Sequence, residues 1–100
     1  GIFNMYVKLI CDGLNLSEDD LFSSSRRRAV TQARQLLYKL CYQRPMTRNQ
    51  IISLMYDKGY STTYENITQN MDRFDKSLDG KDKDLNDFYN DCVKQAEECC

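Results

Sequence analysis

The sequence contains no histidine and no tryptophan, and its 100 residues include one proline and four glycines. Without histidine, a common general base and a common zinc ligand are both missing. With so few helix breakers, long uninterrupted helices are allowed. No apolar run approaches the roughly 18 residues that span a bilayer, and the first residues lack the basic flank and apolar stretch of a signal peptide. We therefore expect a cytoplasmic protein without a membrane segment.

The five cysteines are scattered and include no Cys-x-x-Cys pair, so their spacing does not suit a zinc site. Cys11, Cys41 and Cys92 fall at apolar positions of helical patterns, which predicts reduced core residues. Adjacent Cys99 and Cys100 make a poor disulfide pair. The sequence also lacks a glycine-rich phosphate loop. Together these absences argue against an enzyme, a metal site, a cofactor and a small-molecule substrate.

The net charge of −1 conceals a division of sign along the chain. Every charged residue between Ser23 and Tyr56 is basic, whereas acidic residues outnumber basic ones by ten to five between Glu65 and Cys100. A sequence pI near 5.3 is low for a DNA-binding domain. A phosphate backbone nevertheless interacts with the local charge of the surface it meets, so a basic face can attract it. The basic block is thus either a phosphate-binding face or simply a solvated surface.

Apolar residues recur at helical spacing throughout, which predicts an all-α fold. We expect one domain over residues 1–100, a compact bundle of about six helices, with an acidic last helix at about 83–97. The third helix is expected at about 26–42. The core stripes of the last two helices are Tyr64, Ile67, Met71, Phe74 and Leu78, then Leu85, Phe88, Tyr89, Cys92 and Val93.

Local capping patterns predict where the helices begin and end. Ser17 and the serines at 23–25 are expected to cap the second and third helices. Capping boxes are expected at 47–50 and 62–65. The residues expected to stop helices are Pro45, Gly59 and Gly80.

The two helices joined by residues 58–61 form a helix-turn-helix candidate. In that motif the second helix lies in the major groove of DNA with its first residues at the base edges. Ser61, Thr62 and Thr63 have the small hydroxyl side chains that suit contacts with bases or phosphates. Any helical hairpin with a glycine turn shows a similar pattern, so the motif alone leaves both interpretations open.

The segment Leu-Phe-Ser-Ser-Ser-Arg-Arg-Arg-Ala-Val-Thr-Gln-Ala-Arg-Gln at 21–35 resembles a motif of the bacterial replication initiator DnaA, in its C-terminal DNA-binding domain. That motif reads Leu-Phe-Ser-x-Ser-Arg-x-Arg-x-Ile/Val-x-x-Ala-Arg-Gln. Ile52 and Tyr56 meet apolar and aromatic positions of the family's first reading helix, and Tyr-Ser-Thr-Thr-Tyr at 60–64 meets Asp-His-Thr-Thr-Val. The similarity covers about residues 7–78. It implies a Trp-repressor-like helix-turn-helix fold.

The resemblance also implies roles for individual residues. Arg26 matches an arginine inserted into the minor groove, Arg34 one that supports DNA contact at a phosphate, and Arg28 a further basic position. Thr62 and Thr63 match threonines that face bases, whereas Tyr60 and Ser61 replace the family's base-contacting Asp-His pair. The full set expected at DNA is Arg26, Arg27, Arg28, Arg34, Thr47, Arg48, Lys58, Tyr60, Ser61, Thr62, Thr63 and Asn66.

These observations favour a protein that binds double-stranded DNA sequence-specifically in transcription or replication control. The ATPase module of DnaA is not present in this sequence, so the chain is expected to be either a fragment of a longer initiator or a free-standing bacterial or phage protein. The alternative is an interaction module or phage accessory protein that kept the fold and lost DNA binding. Its acidic last helix would then contact a protein partner.

Overall fold

The structure is a computed structural model that describes residues 1–44, 46–79 and 83–98. Across these residues the chain is helical and contains no strand, which confirms the prediction of a compact all-α bundle of about six helices. Expectations for Pro45, Gly80, Cys99, Cys100 and the Leu78 side chain lie outside the described residues. The helices are α1 (Ile2–Leu14), α2 (Glu18–Leu21), α3 (Arg28–Gln43), α4 (Arg48–Asp57), α5 (Tyr64–Asp79) and α6 (Lys83–Glu98).

Helix α3 is the centre of the bundle and packs against each of the other five helices. Its sequence supplies apolar residues on more than one side, since Leu36, Leu37 and Tyr38 are consecutive and all buried. Full burial of one such side chain contributes about 1.5–3 kcal/mol. Arg34 and Gln35 are buried in the same helix. The centre of the bundle therefore contains polar groups, which require hydrogen-bond partners.

Three of the predicted helix-end signals are confirmed. Ser17 Oγ accepts a hydrogen bond of 3.1 Å from the backbone N–H of Asp20. Thr47 and Gln50 form the reciprocal capping box expected for α4. Gly59 has a φ of 87°, the left-handed conformation that favours glycine after a helix. These features depend on residues within four positions of one another, so the local sequence is sufficient to predict them.

Two predicted helix starts are wrong. Helix α3 begins at Arg28 rather than Arg26, and its N-cap residue Arg27 makes no side-chain cap. The serine hydroxyls instead cap turns before the helix, because Ser23 Oγ accepts from the Ser25 N–H and Ser25 Oγ accepts from the Arg27 N–H. In α5 the capping residue is Thr63 rather than Thr62.

Helix α6 packs against α1, α3 and α5. Leu85, Tyr89 and Cys92 are buried as predicted, and Tyr89 meets Phe74 edge to face with ring centroids 5.3 Å apart. Phe88 lies so close to Gly13 of α1 that a Cβ atom there would meet the ring. The carboxylates of α6 lie on its outer face, exposed to solvent: Asp84, Asp87, Asp91, Glu97 and Glu98.

The buried cysteines are free thiols, as expected: Cys11, Cys41 and Cys92. Burial raises the pKa of the Cys41 thiol to about 12 and that of Cys92 to about 11, the second with a contribution from the charge of Asp91. Because the thiolate is the reactive form, these cysteines are inert packing residues near neutral pH. The prediction of reduced core cysteines is confirmed for these three.

Candidate nucleic-acid interface

Helices α4 and α5, the two helices of the helix-turn-helix candidate, are joined by a turn of residues 58–63. Ile51 and Met55 of α4 and Ile67 of α5 are buried in the common core, which fixes both helices relative to α3. The turn folds back on α4 because the Tyr60 N–H donates to the Met55 carbonyl at 3.0 Å. The polar face of α5 is consequently directed away from the core.

A polar cleft of about 860 Å³ lies beside this unit. One wall is the serine loop, defined as residues 23–27, together with the start of α3. The other wall is the turn and the polar face of α5. The loop and α3 contribute Ser24, Ser25, Arg26, Thr31 and Arg34, whereas the turn and α5 contribute Tyr60, Ser61, Thr63, Glu65, Asn66, Gln69, Asn70 and Arg73.

In addition to Arg34, five of the residues predicted to contact DNA line this cleft. Arg26 stands on one wall, and Tyr60, Ser61, Thr63 and Asn66 stand on the other. All of these except Tyr60, which is half-buried, are exposed to solvent. The structure therefore brings together the arginine of the serine loop and the first residues of α5, although they are far apart in the sequence.

Arg34 is a buried structural residue, which corrects the expectation that it contacts phosphate. Its side chain is 7% exposed. Nε donates to the Leu21 carbonyl at 2.9 Å, and Nη2 donates to the carbonyls of Ser23 and Ser25. The guanidinium also stacks on the Tyr60 ring, 4.8 Å from its centroid. Arg34 therefore satisfies backbone carbonyls at the end of α2 and in the loop that follows it.

Thr62 is also turned inward, which corrects its assignment to the base-reading set. Its hydroxyl oxygen is buried and faces the phenol of Tyr38, whose pKa is raised to about 12, chiefly by burial, while the Thr62 hydroxyl acts in the opposite direction. Thr63 remains at the cleft, but its Oγ1 accepts the Asn66 N–H at 3.1 Å. One of the two threonines is therefore internal and the other is a helix cap.

Thr47, Arg48 and Lys58 lie outside the cleft. Thr47 is engaged in the capping box of α4. Arg48 lies between two tyrosine rings, 4.7 Å from the centroid of Tyr42 and 4.6 Å from that of Tyr64, and its Nη1 donates to the Tyr64 hydroxyl at 3.0 Å. Tyr64, expected in the core, is instead 53% exposed as the outer layer of this stack.

The remaining basic candidates are exposed but differ in their surroundings. Arg27 lies 3.5 Å from Asp20, and Lys58 lies 3.8 Å from Glu18, so both approach the carboxylates of α2. Arg28 is exposed at the first turn of α3 and does not line the cleft. Among the described side chains, neither Arg26 nor Arg73 forms an ion pair. These two arginines therefore give the cleft its exposed positive charge, to which the buried Arg34 adds because its hydrogen-bond acceptors are neutral carbonyls.

Sequence reasoning missed Gln69, Asn70 and Arg73 of the cleft. Counted from Asn66, they follow at the three-, four- and seven-residue spacings that place side chains on one face of a helix. This polar stripe flanks the buried face of α5, which includes Ile67 and Phe74. Asn70 Nδ2 donates to the Asn66 carbonyl at 2.8 Å, which orders the stripe. The spacing of these residues can be read from the sequence, but the sequence does not show that the serine loop lies across the cleft from them.

Comparison of the chain with protein-family models, with curated proteins and with solved structures gave no match. The resemblance to DnaA thus rests on the short segments quoted above. None of the helices in the described ranges combines the length and apolarity needed to cross a bilayer. Within the same ranges, no group of three or more Cys, Asp or Glu side chains is arranged to hold a metal ion.

Proposed function

We propose that the protein binds double-stranded DNA, with α5 in the major groove and Arg26 in the adjacent minor groove. One observation carries this proposal: Arg26 and the polar stripe of α5 face each other across a single polar cleft. In duplex DNA a sugar-phosphate strand separates a major groove from the next minor groove. A protein that enters both grooves must hold that strand between its two inserted elements.

The chemistry of the cleft suits a sugar-phosphate strand. Hydroxyl groups and arginines are the side chains that most often contact phosphate oxygens. Ser24, Ser25 and Arg26 provide them on one wall, and Ser61 and Arg73 provide them on the other. Glu65 is the acidic residue of the lining. The cationic pair of Arg26 and Arg73 therefore supports phosphate binding.

The polar stripe of α5 supports recognition of bases. A major groove admits one α-helix, and asparagine or glutamine side chains can pair with both adenine N6 and N7. Asn66 and Gln69 are exposed one turn apart on α5. Helix α6 contributes no residue to the cleft lining, so the exposed carboxylates described above do not line the phosphate path. The low pI of the chain is compatible with local binding of DNA.

The experiment that tests this function is a salt titration of binding to a random-sequence duplex. Each lost phosphate contact makes the slope of log K against log salt shallower by about 0.9. We expect Arg26→Ala combined with Arg73→Ala to weaken binding and flatten the slope. The matched control combines Lys8→Ala and Lys94→Ala, which removes the same charge from exposed positions outside the cleft.

Two results would contradict the proposal. One is the absence of duplex binding by the wild-type protein at low salt, which would favour the interaction-module alternative. The other is equal weakening by the cleft variant and by its control, because the attraction would then depend on total charge rather than on the cleft.

A further inference from the structure

We propose that Arg34 is a positioning residue that sets the distance between the two DNA-contacting walls of the cleft. This inference deepens the proposed function and rests on it for its biological consequence. Arg34 lies in α3, contributes to the lining of the cleft and is almost completely buried. Its guanidinium is in contact with the serine loop through hydrogen bonds and with the turn through the Tyr60 ring. A single side chain thus joins the wall that carries Arg26 to the wall that carries Ser61.

Arg34 provides the long-range attachment of the serine loop to the bundle. The loop's other hydrogen bonds among the described residues span at most four residues: Ser23 Oγ donates to the Asp20 carbonyl at 2.8 Å, the Ser25 and Arg27 amides donate to serine hydroxyls two residues earlier, and the Arg27 carbonyl accepts the Thr31 N–H at 2.9 Å. Such bonds, with the ion pair of Arg27 and Asp20, shape the turns and join the ends of the loop to α2 and to the first turn of α3, but they do not fix the middle of the loop against the body of α3. The Arg34 donors reach carbonyls 9 to 13 residues away, at Ser25, Ser23 and Leu21.

The turn meets the same guanidinium from the other side of the cleft. Tyr60 is half-buried and packs against the core cluster, and its ring lies over Arg34 Cζ. Tyr60 occupies a position at which the DnaA resemblance implies a base contact. Here its aromatic face is occupied by Arg34, so Tyr60 supports the turn from within. Ser61, the next residue, is exposed to the cleft.

Lysine cannot reproduce the contacts that arginine makes at this position. Its planar fork donates from Nε and Nη2 in fixed directions and stacks on an aromatic ring at the same time, whereas lysine offers a compact point charge. Arg34→Lys therefore retains the charge and loses the geometry. A duplex must fit both walls at once, so loss of the link lowers the fraction of molecules in the binding-competent arrangement. The observed affinity for the duplex falls in proportion to that fraction.

A test that does not involve DNA is limited trypsin digestion. Trypsin cleaves after arginine and lysine, and Arg26, Arg27 and Arg28 are exposed in and beside the serine loop. We expect Arg34→Lys to accelerate cleavage at these residues by about tenfold, since cleavage follows the population of the locally open loop. Cleavage at exposed Lys94 in α6 serves as the internal control. Uniform acceleration at Lys94 as well as at the loop would indicate general unfolding and would overturn the proposal, as would cleavage at the wild-type rate.

A second test uses a random-sequence duplex and separates positioning from direct contact. Tyr60→Leu keeps an apolar side chain and removes the ring, whereas Tyr60→Phe keeps the ring. We expect Tyr60→Leu to weaken duplex binding by about tenfold at every salt concentration, with an unchanged salt slope, because only the competent fraction changes. Tyr60→Phe should bind as the wild-type protein does.

Arg34→Gln completes the comparison. A positioning role predicts weaker binding with an unchanged salt slope, whereas a direct phosphate contact by Arg34 makes the slope shallower by about 0.9 and overturns the proposal. If the wild-type protein does not bind duplex DNA, the proposed function fails. The trypsin digestion still decides whether Arg34 holds the serine loop in place, so the two failures can be distinguished.

Discussion

Thr63 Oγ1 accepts a hydrogen bond of 3.1 Å from the backbone N–H of Asn66, so the residue that immediately precedes α5 is its N-cap. The free amides at the start of a helix favour an anion, and the cap satisfies one of them without a ligand. The start of α5 is therefore ordered in the free protein. The same hydrogen bond holds the backbone of Asn66, the first residue of the polar stripe of α5.

This cap predicts a loss of stability in Thr63→Ala. Removal of an N-cap oxygen lowers the free energy of unfolding by about 1 kcal/mol, measurable by urea denaturation. Thr63→Ser retains the oxygen and should restore most of that loss. Ser61→Ala is the matched control, because Ser61 is exposed and such changes usually fall within about 0.5 kcal/mol. Equal stabilities of Thr63→Ala and Ser61→Ala would show that the cap contributes nothing.

The stack of Tyr42, Arg48 and Tyr64 predicts that Arg48 stabilises the start of α4. Each cation–π contact at a partly exposed site contributes about 0.5–1 kcal/mol, so Arg48→Met should lower the free energy of unfolding by about 1–2 kcal/mol. Arg28→Met is the control. Arg28 is likewise the first residue of its helix and makes no ring contact within the described residues. If both variants lose the same stability in thermal denaturation, the tyrosine rings make no difference.

Alkaline pH should destabilise the fold through its buried tyrosines and cysteines. Burial raises the pKa of Tyr89 to about 12, from an ordinary value of 10.0, with further contributions from Asp75 and Tyr6. A group with a raised folded pKa contributes stability that is complete below its unfolded pKa and is lost as the pH rises through its folded pKa. The loss through Tyr89 therefore spans about pH 10 to 12, and the buried thiols, with an ordinary pKa of 9.0, begin to contribute about one pH unit lower.

Tyr89→Phe isolates the tyrosine contribution to this pH dependence. The Tyr89 hydroxyl is buried and has no hydrogen-bond partner among the described residues, so its removal costs no hydrogen bond. We expect the melting temperature of Tyr89→Phe to fall less between pH 10 and 12 than that of the wild-type protein. Tyr56→Phe, at a residue that is 70% exposed, should follow the wild-type curve. A Tyr89→Phe curve parallel to wild type would assign the alkaline loss to the cysteines and Tyr38.

Site selection from a random duplex pool should yield a sequence different from the DnaA origin box. At the positions that the resemblance aligns with the Asp-His pair of DnaA, this chain has Tyr60, whose ring is engaged by Arg34, and Ser61, which offers a hydroxyl. A lost paired base contact changes discrimination by about 1–3 kcal/mol. Arg26 can still favour a narrow A·T-rich minor groove, because that recognition depends on shape. We therefore expect A·T-rich flanks around a new major-groove core.

Recovery of the DnaA box in that selection would show that replacing the Asp-His pair is neutral. Enrichment of no sequence at all would favour the interaction-module alternative. Asn66→Ala is the informative variant in the same experiment, because it should alter the major-groove core and leave the A·T-rich flanks unchanged.

The position of Arg34 was partly predictable. It follows Val30 by four residues and precedes Leu37 by three, so helical spacing places it on the buried face of α3. The family resemblance assigned it to DNA instead, and spacing alone does not supply a partner for a buried arginine. The partners are the backbone carbonyls of Leu21, Ser23 and Ser25. They come within reach of Arg34 only when α2 packs on α3.

The sequence by itself determined the helices, several of their ends and most of the core, because caps, glycine turns and apolar spacing act over a few neighbouring residues. Ser17, Thr47 and Gly59 are of this kind. Only the tertiary structure decided which basic residues face the cleft. Arg26 and Arg73 are exposed there, Arg34 is buried, and Arg48 is enclosed by two tyrosines. The physical reason is that the environment of an arginine is set by groups brought to it from distant parts of the chain.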